Sequence, residues 1–252
     1  MEWSDFCHQA KHIRRYSLLS GESSTTPAPS PVETLHRVSD AIKSAGLLCD
    51  VPAGHRIWRG RMRATRELPR YTASTIGSTP NHRATSNRLS PAGTSLFYGS
   101  ADPATAVSEI SAHDGRPFAA VAAFETTRAV TMVDLVDVDQ KAGDPAPAPQ
   151  SAPGTAMEFV LAFARGISVP VRRDGRERLE YAPTQIITEY FRHLSPLRAD
   201  GIRFHSAQNH GVNYVLFVGP EGCTDSLSTS PCALLRLVPG TEHVRERAGL
   251  PG

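Results

Sequence analysis

Apolar residues recur at helical spacing in several stretches of the chain and form short unbroken runs in others. Phe6, Ile13, Tyr16 and Leu19 fall roughly on one face of a helix over residues 1 to 19. Leu35, Val38, Ile42 and Ala45 make a stripe over Val32 to Leu48, and Gly46 ends it. Asp102 followed by Pro103 starts a further helix. The Asp side chain can accept from free backbone N–H groups, and Pro at the first helical position loses nothing by lacking one. Ala106, Val107 and Ile110 then recur at helical spacing and should face a core. Met157 to Arg165 is apolar nearly all round, which predicts a buried helix capped by Gly166. Pro183 stands near the start of another helix, in which Ile187, Tyr190, Phe191 and Leu194 follow the i, i+3, i+4, i+7 pattern.

The unbroken runs predict strands. Arg56 to Arg61 alternates, with Arg59 and Arg61 on one side and Trp58 on the other. Leu96, Phe97 and Tyr98 form a short buried strand between Gly93 and Gly99. Phe118 to Phe124 and Val130 to Leu135 follow as strands, then Asp200 to Ser206 as a turn and strand. Val212 to Val218 is nearly continuously apolar and hence central in a sheet, and Ala233 to Val238 is one more strand. Between them lie a Ser/Thr/Pro-rich linker at 20–31, an irregular stretch from Ala64 to Arg88, a loop with four prolines from Lys141 to Gly154, and a Ser/Thr-rich loop at 222–231. A long irregular segment such as 64–88 is a functional loop or a disordered one. Helices and strands mix without regular βαβ alternation, which favours an α+β fold. The expected organisation is a helical extension over 1–50, a main domain over 55–240 and a tail over 241–252.

At 252 residues with 40% hydrophobic and 21% charged content, the chain can bury a core as one domain, or one domain plus a small extension. No apolar run is long enough to span a bilayer, and the N-terminus lacks the basic start and apolar run of a secretory signal. The expected location is the cytoplasm. Cys7, Cys49, Cys223 and Cys232 are scattered, without zinc-ligand spacing, so no metal site is expected. A bridge between Cys223 and Cys232 is feasible in principle, but a reducing compartment argues against it.

Net charge is only +2, yet it is unevenly spread. From His55 to Ser90 there are eight arginines and one acid, Glu67. Such runs are usually solvated loops. A planar guanidinium also donates paired hydrogen bonds to phosphate, so a site for a phosphorylated small molecule is a sharper reading. A nucleic-acid surface is weakened by the lack of interleaved aromatics. Glu109, at the edge of an apolar stripe, is solvated, paired or part of a site. Taken singly, Tyr98 reads as a core aromatic with a wet tip, Arg59 as a surface strand residue and Ser206 as a local hydrogen-bonder near a turn. His205 and His210 read as structural or solvated.

The joint order of these residues carries more. Arg59, Asn87-Arg88, Gly93, Leu96-Phe97-Tyr98, Ala106, Glu109, Tyr181-Ala182-Pro183-Thr184-Gln185, Asp200-Gly201-Ile202, Ser206 and Leu216-Phe217 together resemble the RES domain family, named for an Arg, a Glu and a Ser in this order. The resemblance spans roughly 55 to 240. It implies an ADP-ribosyltransferase-like mixed sheet core with flanking helices and a short helical N-terminal extension. It also implies NAD as a substrate rather than a bound cofactor. Characterised relatives are toxins of toxin–antitoxin pairs that cleave NAD by hydrolysis or phosphorolysis, or transfer ADP-ribose to a protein.

Carried over by position, the family's Arg is Arg59, with Arg61 as a near rival. Its Tyr is Tyr98, its Glu is Glu109 and its Ser is Ser206. Asn87, Arg88 and Gln185 are further candidates for substrate contact, and equally for bracing a loop or starting a helix. Gly60 stands where short family members often carry an aromatic. Breaking the ribose–nicotinamide bond develops positive charge on the sugar, which a carboxylate can stabilise. An arginine can hold a pyrophosphate and a tyrosine can stack on nicotinamide. The implied partners are NAD, phosphate as an acceptor and an antitoxin protein, with no membrane, and a homo-oligomer remains open. The rival readings are protein ADP-ribosyl transfer and a non-catalytic module that docks through the basic 56–88 segment.

Overall fold

The computed structural model describes residues 1–20, 29–67, 71–112, 114–142, 155–169, 175–225 and 233–246. In chain order the elements are α1 (Trp3–His8), α2 (Pro31–Ser44), β1 (Leu48–Val51), β2 (Arg56–Arg63), α3 (Ala73–Ile76), β3 (Phe97–Ser100), α4 (Pro103–Ser111), β4 (Phe118–Thr126), β5 (Val130–Asp134), α5 (Val138–Ala142), α6 (Ala156–Ser168), α7 (Glu177–Glu180), α8 (Ala182–His193), β6 (Gly201–His205), β7 (Val212–Leu216), β8 (Cys223–Thr224), β9 (Leu235–Leu237) and β10 (His243–Glu246). Mixed helices and a mixed sheet make this an α+β protein, the class that the irregular alternation of patterns predicts. The proline-rich loop falls mostly on residues 143–154, outside the described residues. So do Cys232 and parts of the 20–31 linker and the 222–231 loop.

The chain divides into two units. The first comprises Met1–Cys49, Thr85–Ala92 and Val133–Ala199. Its core is aromatic. The Trp3 ring meets Phe159 edge-on at 5.2 Å, Phe6 meets Phe159 at 5.3 Å, and Phe163 meets Phe191 at 6.1 Å. Ser30 begins α2 with a capping box, in which its hydroxyl accepts from the Glu33 N–H while the Glu33 carboxylate accepts from the Ser30 N–H. Gly46, at φ +62°, supplies the left-handed residue just after the α2 end.

Three expectations for this unit are corrected. The N-terminal stripe does not persist to residue 19. α1 passes into a π-helical turn at Gln9–Ile13, which breaks the 3.6-residue period, and Ile13 and Tyr16 emerge 66% and 98% exposed. Leu18, not Leu19, is the residue buried beyond it. Gly166 does not cap α6, which runs on to Ser168. A Cβ at Gly166 would lie 3.3 Å from the Trp3 ring, so the glycine serves close packing rather than termination. Leu194 follows the last residue of α8 and is 54% exposed, whereas Ile187, Tyr190 and Phe191 are buried as expected.

The second unit comprises Asp50–Ala84, Gly93–Met132 and Asp200–Gly252. Its strands run in the order β6-β7-β3-β2-β4-β9-β8, with β10 pairing the first half of β4. Ala119 to Phe124 of β4 are all fully buried, the mark of a strand covered on both faces. β2 and β4 pair antiparallel along their length, from Arg56 opposite Glu125 to Arg63 opposite Phe118. β3 lies between β2 and β7, with Trp58 opposite Ser100 and Ser100 opposite Asn213. Directly opposed residues share a sheet face. Trp58, Ser100 and Asn213 therefore point one way, together with Gly60 and Tyr98, and Arg59, Arg61 and Phe97 point the other.

Candidate active site

Helix α4 brings Glu109 to the sheet, and its placement follows from local chemistry. The Asp102 carboxylate accepts from the Thr105 N–H at 2.8 Å and from the Thr105 hydroxyl at 2.6 Å, the N-cap that the Asp-Pro pair predicts. Burial raises the Asp102 pKa, but the hydrogen bonds from Thr105 and Ala104 outweigh it, and the group ends below its ordinary value. Gly60 leaves room for the helix. A Cβ there would meet Ile110 Cδ1 at 2.6 Å and Val121 Cγ1 at 3.2 Å, so α4 rests directly on β2. Absence of a side chain at position 60 is thus structural compensation for a bulky Ile110, which is half-buried, as is Val107, while Ala106 is buried.

The turn between β6 and β7 meets the start of the same helix. The Asn209 amide donates to Thr105 Oγ1 at 3.1 Å. A Cβ at Gly211 would stand 2.1 Å from that same oxygen. This contact carries Ser206, at the end of β6, across to α4. The Ser206 hydroxyl donates to Glu109 Oε1 at 2.6 Å and accepts from the Gln208 N–H at 3.0 Å. The Asn213 amide donates to the same Glu109 oxygen at 2.6 Å. Behind it the Ser100 hydroxyl donates to Asn213 Oδ1 at 2.8 Å. One carboxylate oxygen is therefore held by two donors, and neither of these bonds uses Oε2.

The other candidates divide. Tyr98 shares the sheet face of Ser100 and Asn213 and is half-buried. Arg59 lies on the opposite face, 9% exposed, with its guanidinium 5.1 Å from the Phe97 ring. Its Nε donates to the carbonyls of Ile76 and Gly77, and Nη1 donates to the Tyr98 carbonyl. Burial, with the neighbouring Arg61 charge behind it, pushes Arg59 down to about 10. Arg59 thus braces the strand that bears Tyr98 and the loop after α3. Arg61, on the same side, donates from Nη2 to the Gly77 carbonyl at 2.9 Å and to Thr79 Oγ1 at 3.4 Å.

Asn87, Arg88 and Gln185 belong to the first unit. There the Gln185 amide donates to Ser86 Oγ and to the Asn87 and Ser90 carbonyls. Arg88 donates to the Gly166 carbonyl and lies 5.8 Å from the Tyr181 ring centroid. These bonds brace the 86–90 turn on α8 and α6. His205 Nδ1 pairs with the His210 carbonyl at 2.9 Å, a structural use of the turn. Asn213 and Ser100 are not among the residues that carry the family resemblance. Asn213 stands in an apolar strand run, where a 7% exposed amide needs a partner, and that is the signal available for it.

Comparison with known proteins adds the following. Residues 56–230 match the model of the RES domain. No curated protein matches the chain. Among solved structures, the crystal structure of the M. tuberculosis MbcT-MbcA toxin-antitoxin complex is similar at 13% identity and a TM-score of 0.43, over 84% of this chain and 92% of that one. Because that family model spans more than half of the sequence, the chain belongs to the RES domain family.

Proposed function

We propose that this protein cleaves the ribose–nicotinamide bond of NAD and acts as a RES-type toxin. The observation that carries the reading is the doubly anchored Glu109, with Oε1 tied to Ser206 and Asn213. Loss of neutral nicotinamide leaves an oxocarbenium-like ribose, and a fixed carboxylate stabilises that charge as it develops. Holding Oε1 orients Oε2 and the carboxylate plane in advance, so little reorganisation is needed at the moment of bond cleavage. Ser206, buried and bonded to both Glu109 and the Gln208 N–H, serves in this reading to hold the carboxylate. Tyr98, on the same sheet face, offers a ring for stacking. Attack of water on the anomeric carbon gives ADP-ribose and a proton, and attack of phosphate gives the ribosyl phosphate. Membership in the RES domain family supports the NAD-directed reading.

The test is incubation of the purified protein with NAD, with and without phosphate. Release of nicotinamide without labelled protein is the expected result, and its dependence on phosphate names the acceptor. Labelled protein would indicate transfer of ADP-ribose instead. Absence of turnover together with salt-sensitive nucleic-acid binding would replace the enzyme by a docking module.

A further inference from the structure

The end of β2 carries a second constellation that the Glu109 site does not use. Arg61 and Arg63 project from the strand face opposite the one on which α4 rests. With Ala64, Thr65, Tyr71, Thr75, Met62 and Arg116 they line a cavity of about 450 Å³. Arg116 is paired with Asp114. Arg61 and Arg63 have no ion pair among the described residues.

Their donors are only partly used. Arg61 commits Nη2 to Gly77 and Thr79. Arg63 commits Nη1 to the Tyr71 hydroxyl at 3.0 Å, with its guanidinium 5.8 Å from the Tyr71 ring. Nε of both arginines is buried without a hydrogen-bond partner. Arg61 Nη1 and Arg63 Nη2 have none among the described residues. Burial also lowers the Arg61 pKa, against a smaller opposing contribution from Tyr71. Each guanidinium plane is thus fixed by one anchored nitrogen, while other N–H groups stay unused. Fixed guanidinium forks match the oxygens of a tetrahedral dianion better than they match solvent.

The geometry points to a phosphate-binding site at this cavity, for inorganic phosphate or the phosphate of a larger ester, on the sheet face away from Glu109. Arg61 and Arg63 are the charged donors, with Tyr71 and Thr75 at its wall. The inference stands independently of NAD cleavage.

The test uses the full chain carrying Glu109→Gln, so that turnover cannot consume a ligand. Phosphate, pyrophosphate, AMP and ADP-ribose are titrated by calorimetry and by thermal shift, against chloride at matched ionic strength. Saturable binding of at least one phosphate ligand is expected, weakened at least tenfold by Arg63→Gln. Tyr71→Phe removes only the hydroxyl that orients Arg63 and should weaken binding by a smaller factor, which keeps the test open if Arg63→Gln fails to fold. Equal affinities for phosphate and ADP-ribose assign the site to free phosphate, and clear preference for ADP-ribose or AMP assigns it to an esterified ligand. No saturable binding, a shift that chloride reproduces, or binding unchanged in both variants overturns the proposal. NAD turnover in the wild-type protein is read separately, so loss of the enzymatic reading leaves this result standing, and the reverse.

Discussion

Asn213 donates its side-chain amide to Glu109 Oε1 at 2.6 Å, across 104 residues of sequence. Ser206 donates to the same oxygen. A Gln at position 109 retains an oxygen able to accept both bonds, while it loses the charge and replaces the second oxygen by an NH2 donor. Glu109→Gln should therefore leave the melting temperature within a few degrees of wild type and abolish nicotinamide release from NAD. Wild-type-like turnover in this variant would take Glu109 out of the chemistry.

Asn213 itself touches no substrate in this scheme and works by positioning. Asn213→Ala strips Glu109 Oε1 of one donor and leaves the buried Ser100 hydroxyl without its acceptor. An orphaned buried polar group costs about 1–3 kcal/mol. The expected outcome is that loss of stability in denaturant melts, with kcat reduced about tenfold or more and KM changed less, since the bond orients a carboxylate rather than gripping the ligand. If KM rises while kcat holds, Asn213 contacts substrate instead.

Gly211 and Thr105 should behave as a coupled pair. A methyl group at 211 would sit 2.1 Å from Thr105 Oγ1 and 3.0 Å from Thr105 Cβ, and Thr105 is held by the Asp102 cap. Gly211→Ala should destabilise by about 1–3 kcal/mol through overpacking and push the Ser206 turn off α4. Thr105→Ala removes the two closest obstructing atoms, Oγ1 and Cγ2, and leaves only the 3.0 Å contact with Cβ. In a double-mutant cycle the pair should be less destabilised than the sum of the single variants by about 0.5–3 kcal/mol, with partial return of turnover. Additive effects would show that the turn and helix adjust independently.

These relationships mark what the sequence makes legible. Asp102-Pro103 announces the start of α4 because capping is local, and the Asp102–Thr105 bond spans three residues. Strand β4 is legible because six consecutive small or apolar residues leave no polar face. The order of Arg59, Tyr98, Glu109 and Ser206 identifies the family, but order along a chain does not say which sheet face each side chain takes. That depends on register: Trp58 opposite Ser100 puts Arg59 on the far side from Tyr98. Asn213 escapes notice because its importance is pairwise and long-range. Ile13 and Tyr16 mislead because a π-helical turn at Gln9–Ile13 shifts the period without any sequence signature such as Pro or Gly. Gly166 misleads because a glycine that permits close packing reads the same as one that ends a helix.

His55 gives the second unit a pH dependence with a definite sign. Its Nε2 shares a hydrogen bond with the Tyr214 hydroxyl at 3.2 Å, and its backbone N–H donates to Thr126 Oγ1. Burial first, and the Arg203 charge second, lower its pKa below the ordinary histidine value of 6.5. In the unfolded chain His55 takes up its proton near that ordinary value, and in the folded chain only at lower pH. Stability from a neutral His55 is therefore complete above the unfolded pKa and is lost as pH falls below it towards and through the folded one. His55→Gln keeps a hydrogen-bonding group that cannot titrate in this range. Thermal melts at pH 7.5 and pH 5 should show a smaller drop for the variant than for the wild type. Equal drops in the two proteins would mean that His55 does not contribute to the acid sensitivity of the fold.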